Sequence, residues 1–148
     1  MAQLLKEYSV KISQEESAMH QPKIMVVDDD ENILSAFGDF LKKEHCTMVA
    51  ASSAEEAKIK LERRHVDILI ADVRLAGKSG ITFLLDVRRA RPDLPVIIVT
   101  GFPDLVSEVD AKAFGADYFF LKPLDIDELR VALKACLRRI NQVHELHL

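Results

Sequence analysis

Asp67-Ile68-Leu69-Ile70-Ala71-Asp72 is a run of four apolar residues closed at both ends by aspartate. It is too short for a helix and shows no polar alternation, the pattern of a strand covered on both faces. Upstream, Lys23-Ile24-Met25-Val26-Val27 reads the same way, and downstream so does Val96-Ile97-Ile98-Val99. Residues 47–51 and 118–121 supply two further short apolar runs. Between these runs lie amphipathic stretches at 31–44, at 81–90, at 103–114 before Gly115, and from 125 to about 140. Another opens at Ser53, with Glu56 three residues on as in a capping box. Five strands alternating with five helices predict an α/β domain, a parallel sheet doubly wound by right-handed crossovers.

The size fits one domain with its own core. The chain has 148 residues, 49% hydrophobic and 30% charged, with five Gly and five Pro, which argues against disordered and fibrous classes. A net charge of −4 argues against direct nucleic-acid binding, which needs clustered Lys and Arg. Cys46 and Cys136 stand far apart in apolar surroundings, without metal-ligand spacing, and are expected to be buried thiols. The five histidines give no ligand pattern; His45 and His65 fall near helix ends. No stretch approaches the roughly 18 apolar residues of a membrane span and no signal-type segment is seen, so no membrane association and a cytoplasmic location are expected.

In doubly wound sheets, function gathers beyond the carboxyl ends of the strands. There the sequence places Asp28, Asp29 and Asp30, then Asp72, then Thr100 and Gly101, then Lys122 and Pro123. If the strands take the order 2-1-3-4-5 of flavodoxin-like folds, these groups line one edge. Clustered carboxylates repel unless a cation lies among them, and Mg²⁺ is commonly held by one or two carboxylates together with phosphate oxygens. An aspartate can act as nucleophile toward phosphorus, with an ammonium and a hydroxyl stabilising the equatorial oxygens. Asp30 is expected to cap the first helix rather than bind metal.

Four segments carry a family resemblance: residues 24–30 (IMVVDDD), 67–80 (DILIADVRLAGKSG), 99–101 (VTG) and 115–123 (GADYFFLKP). In that order the chain resembles the receiver domains of two-component response regulators, the CheY-like superfamily, from about residue 23 to 140. The resemblance implies a phosphoacceptor, Asp72, with Lys122 and Thr100 assisting. It implies Mg²⁺ (or Mn²⁺) on Asp28, Asp29, Asp72 and the backbone carbonyl of Arg74. Thr100 and Phe119 would form the switch, Gly101 would leave room for the incoming group, and the Lys122-Pro123 bond would be cis. Phosphorylation would alter the surface of the fourth helix, fifth strand and fifth helix. The implied partners are a sensor histidine kinase or phosphotransfer protein and a downstream effector, with a homodimer allowed. Such a chain is a signalling phosphoacceptor that catalyses only its own phosphorylation and dephosphorylation. Ala76 departs from the proline many relatives carry.

Two other readings stay open at this point. One is a receiver-shaped interaction module that is not regulated by phosphorylation. The other is a phosphatase of the haloacid-dehalogenase type with Asp28 as nucleophile, which leaves Asp72 without a role. Residues 1–22 form an extension, flexible or a short helix in which Leu4, Tyr8 and Ile12 share a face. Residues 23–141 form the receiver unit, and 142–148 a tail or the start of a linker.

Overall fold

The computed structural model describes residues 1–19, 21–75, 78–101 and 108–146, with side chains for all of these except 13–19, 75, 78–79 and 143–146. The elements run α1 (Ala2–Met19), β1 (Lys23–Val27), α2 (Glu31–Lys43), β2 (Thr47–Ala51), α3 (Ala54–Arg63), β3 (Ile68–Asp72), β4 (Arg74–Leu75), β5 (Lys78–Ser79), α4 (Gly80–Ala90), β6 (Val96–Thr100), α5 (Glu108–Ala113), β7 (Tyr118–Leu121) and α6 (Ile126–Leu146). Five of the strands form one sheet in the order β2-β1-β3-β6-β7, and every pairing within it is parallel. This is the order 2-1-3-4-5 of flavodoxin-like folds, the condition under which the strand-end groups line one edge.

Side chains alternate across the sheet, so each strand feeds two cores. Ile24, Val26, Ile68, Ile70, Ile97 and Val99 pack under α2 and α6 with Phe37, Leu41, Leu129 and Leu133. Met25, Val27, Leu69, Ala71, Val96 and Ile98 pack on the other face with Ala57, Leu61, Phe83, Leu84 and Val87. β3 and β6 are buried along their whole length, which explains their unbroken apolar sequence.

Local chemistry sets the helix ends. Asp30 caps α2 by accepting from Asn32 N at 2.8 Å. Its other end closes with His45 at φ 59°, while Cys46 N donates to Leu41 O at 2.9 Å and His45 N to Lys42 O at 3.2 Å. That is a Schellman closure with histidine where glycine is usual. Ser53 caps α3, accepting from Glu56 N at 3.1 Å. The reciprocal bond falls one residue early: Glu56 accepts from the N and Oγ of Ser52, at 2.9 and 2.8 Å.

Three features differ from the sequence expectation. The extension forms an 18-residue helix, α1, so there are six helices among the described residues. α6 continues to Leu146, beyond the expected end near 140. The loop after β3 contains a two-residue antiparallel ladder, β4 with β5. Ala76 and residues 103–107, where the fourth helix was expected to begin, lie outside the described residues, as do His20 and His147.

Candidate functional site

Strand alternation carries to the last residue of β3 and one residue past the ends of β1 and β7. Asp28, Asp72 and Lys122 continue the positions of Val26, Ile70 and Phe120, which face α2 and α6. β1 and β3 are neighbours at that edge, and the long Lys122 side chain reaches across the end of β6 to join their aspartates. Lys122 Nζ lies 2.7 Å from Asp72 Oδ2 and 2.9 Å from Asp28 Oδ2. Both carboxylates are almost fully buried, at 6% and 4% exposure.

The second oxygen of each carboxylate is fixed by backbone. Asp30 N donates to Asp28 Oδ1 at 2.9 Å, and Arg74 N donates to Asp72 Oδ1 at 2.9 Å. Gly80 then holds the far end of the loop, donating from its N to Val73 O at 2.9 Å. A Cβ at Gly80 would lie 2.1 Å from that carbonyl oxygen, so only glycine allows so close an approach. Sequence reading gave Gly80 no role, although a glycine opening a helix was a signal.

Burial works against the Lys122 ammonium, but its hydrogen bonds to Asp72 and Asp28 and their negative charges outweigh that cost and hold its pKa above the ordinary 10.5. The pairing is a buried ion triad, in which removal of one member leaves an uncompensated charge.

Thr100 ends β6 fully buried and opposite Leu121, and Thr100 O accepts from Lys122 N at 2.8 Å. By alternation Thr100 shares its face with Ile98. Phe119, the register partner of Ile98, is partly buried against that same core. The structure thus puts Thr100 and Phe119 on one face and the Asp28–Asp72–Lys122 cluster on the other. Asp29, Gly101 and Arg74 are exposed at the rim. A Cβ at Gly101 would meet the Lys122 stem at an ordinary 3.8 Å. The Lys122-Pro123 peptide is cis.

Among the described residues no three His, Cys, Asp or Glu side chains converge as a metal-holding group. The ammonium of Lys122 draws Asp28 and Asp72 onto itself, and Asp29 faces solvent. The donor set nonetheless fits a hard divalent cation. Asp28, Asp29 and Asp72 offer carboxylate oxygens, and three aspartates against one lysine leave a formal surplus of negative charge. Cys46 and Cys136 are buried free thiols, each raised by burial to about 11.

A five-stranded parallel sheet in this order, with helices on both faces, defines the flavodoxin-like class of doubly wound domains. Within that class the chain belongs to the response regulator receiver domain family, whose model matches residues 24–134. It is 36% identical over 117 residues to the heme response regulator HssR of Staphylococcus saprophyticus, covering 79% of this chain and 52% of that protein. It is 35% identical over 118 residues to the alginate biosynthesis transcriptional regulatory protein AlgB of Pseudomonas aeruginosa, covering 80% of this chain and 26% of that protein. The chain thus spans about half of one relative and a quarter of the other. The signal receiver domain of an HD domain-containing protein from Pseudomonas fluorescens matches with a TM-score of 0.78 and 31% identity, over 83% of this chain and 99% of that one. The Thermotoga maritima response regulator TrrA, solved with Mg²⁺ and BeF, matches with a TM-score of 0.71 and 28% identity, over 78% and 99%. No described helix is long and apolar enough to cross a membrane.

Proposed function

We propose that this receiver takes a phosphoryl group onto Asp72, from a sensor histidine kinase, a phosphotransfer protein or a small phosphodonor, in a Mg²⁺-dependent reaction. The observation that carries the reading is the shared ammonium: Lys122 Nζ bridges the buried carboxylates of Asp28 and Asp72. In the transfer, a carboxylate oxygen of Asp72 attacks phosphorus. The new P–O bond forms as the bond to the donor breaks, and the electron pair leaves with the donor atom, an imidazole nitrogen for phosphohistidine. Arg74 N, already on Asp72 Oδ1, leaves Oδ2 as the reacting oxygen, and Lys122 shifts from that oxygen to the incoming phosphoryl group.

Asp28, Asp29, Asp72 and the Arg74 carbonyl would hold Mg²⁺ or Mn²⁺, which when bound neutralises charge on the phosphoryl oxygens. Thr100 supplies a hydroxyl from the opposite face. Its movement toward the phosphoryl group opens space for Phe119, biasing the surface of α5, β7 and α6 that a downstream effector reads. The receiver unit spans residues 23–141, acts in the cytoplasm and catalyses only its own phosphorylation and dephosphorylation. The bond from Lys122 to Asp72 supports this reading over a phosphatase in which Asp28 attacks, because that chemistry leaves Asp72 without a role.

Incubation with Mg²⁺ and acetyl phosphate should add one phosphoryl mass to the intact chain. Asp72→Asn should add none, and chelation of the metal should suppress the gain. An Asp72→Asn chain that still gains the mass would refute the proposal.

A further inference from the structure

α1 stands apart from the chemistry, and its described side chains from residue 1 to 11 are all exposed. Met1, Leu4, Leu5 and Tyr8 are 95, 69, 61 and 64% exposed. A helix owes most of its stability to packing of an apolar face, and this one has such a face without a described partner to cover it. Met1, Leu5, Tyr8 and Ile12 follow one another at steps of four, three and four, the seam of a two-helix coiled coil. We infer that α1 is a self-association helix, and that its apolar seam is covered by α1 of a second copy of this chain.

The seam is self-complementary, as a two-fold contact requires. With two helices antiparallel about the point between residues 6 and 7, Met1 packs on Ile12 of the second copy and Leu5 on Tyr8 of the second copy. Each of the four layers then joins two apolar side chains, and no charged residue falls on the seam. Charge points the same way. Residues 1–19 hold two lysines and three glutamates, whereas a helix lying on lipid needs a polar face rich in Lys and Arg. Burying Met1, Leu4, Leu5 and Tyr8 from both copies at about 100 Å² each, with a smaller share from the partly covered Ile12, removes about 900 Å², in the range of a weak, transient contact. The pairing is therefore concentration-dependent, with an affinity in the micromolar range.

The test is sedimentation velocity on the whole chain from roughly 1 to 500 µM, a range that brackets micromolar affinity. It is run without metal or phosphodonor, so its outcome is independent of Asp72 chemistry. The wild type should move from the mass of one chain toward twice that mass. Leu5→Glu with Tyr8→Glu should stay monomeric while keeping the wild-type thermal unfolding of the receiver, since neither side chain packs on it. Val131→Glu, on the exposed face of α6, should dimerise as the wild type does. Three results would overturn the inference: a wild type monomeric throughout, a dimer that survives the double substitution, or co-sedimentation with phosphatidylserine vesicles abolished by the same pair.

Discussion

The two edges of the sheet hold their charged side chains differently. At the amino edge Arg88, Asp117 and Asp67 are each tied to backbone. Arg88 donates to the carbonyls of Pro92 and Leu94, at 2.8 and 2.7 Å, and to that of Gly115. Asp117 accepts from Val96 N at 2.8 Å and from Arg139 at 3.0 Å. Asp67 accepts from Lys23 N at 2.8 Å and pairs with His65 at 2.6 Å. At the carboxyl edge two buried carboxylates share one ammonium. The amino edge is closed by side chain to main chain bonds, whereas the carboxyl edge sets two buried carboxylates against a single ammonium.

The largest expected effect sharpens that contrast. Lys122→Met removes the cation from two buried carboxylates and should destabilise the fold by about 3 kcal/mol, read as a shift in urea midpoint. Mg²⁺ should recover part of the loss. The raised Lys122 pKa also sets a pH dependence. Its contribution to stability is complete below about 10.5 and is lost as pH rises through the higher folded value. The wild-type and Lys122→Met urea midpoints should therefore converge at strongly alkaline pH, and a constant gap would contradict the assignment.

Arg88→Met tests the other edge. It strands several carbonyls and should cost about 2 kcal/mol, with no recovery on adding Mg²⁺ and with phosphorylation retained. A Mg²⁺ response there would break the distinction between the edges. The smallest effect lies away from both. His45 holds a left-handed conformation at φ 59°, so His45→Gly should raise stability by about 1 kcal/mol in the same urea assay.

Much of this was legible in the sequence. Runs such as Ile68–Ala71 and Val96–Val99 are apolar throughout because both faces of β3 and β6 are buried, so the parallel sheet followed from them. Once the sheet was placed, period-two alternation put Asp28, Asp72 and Lys122 on one face. What escaped has short-range or three-dimensional causes. The β4–β5 ladder is two residues long on each side, below any period. The Gly80 contact depends on how the loop returns to Val73. The Arg88 network joins residues brought together only by the fold, and the reach of Glu56 to Ser52 instead of Ser53 is a matter of side-chain rotamer. The length of α1 was open because residues 1–11 are all exposed, with no described side chain covering them.

The central claim is that the reacting oxygen belongs to Asp72. Phosphorylating the chain with acetyl phosphate and Mg²⁺, reducing the acyl phosphate with borohydride and sequencing the peptides by mass spectrometry locates it directly. The account predicts the reduced product homoserine at position 72; the same product at Asp28, or at neither position in a chain that gained the phosphoryl mass, would contradict it.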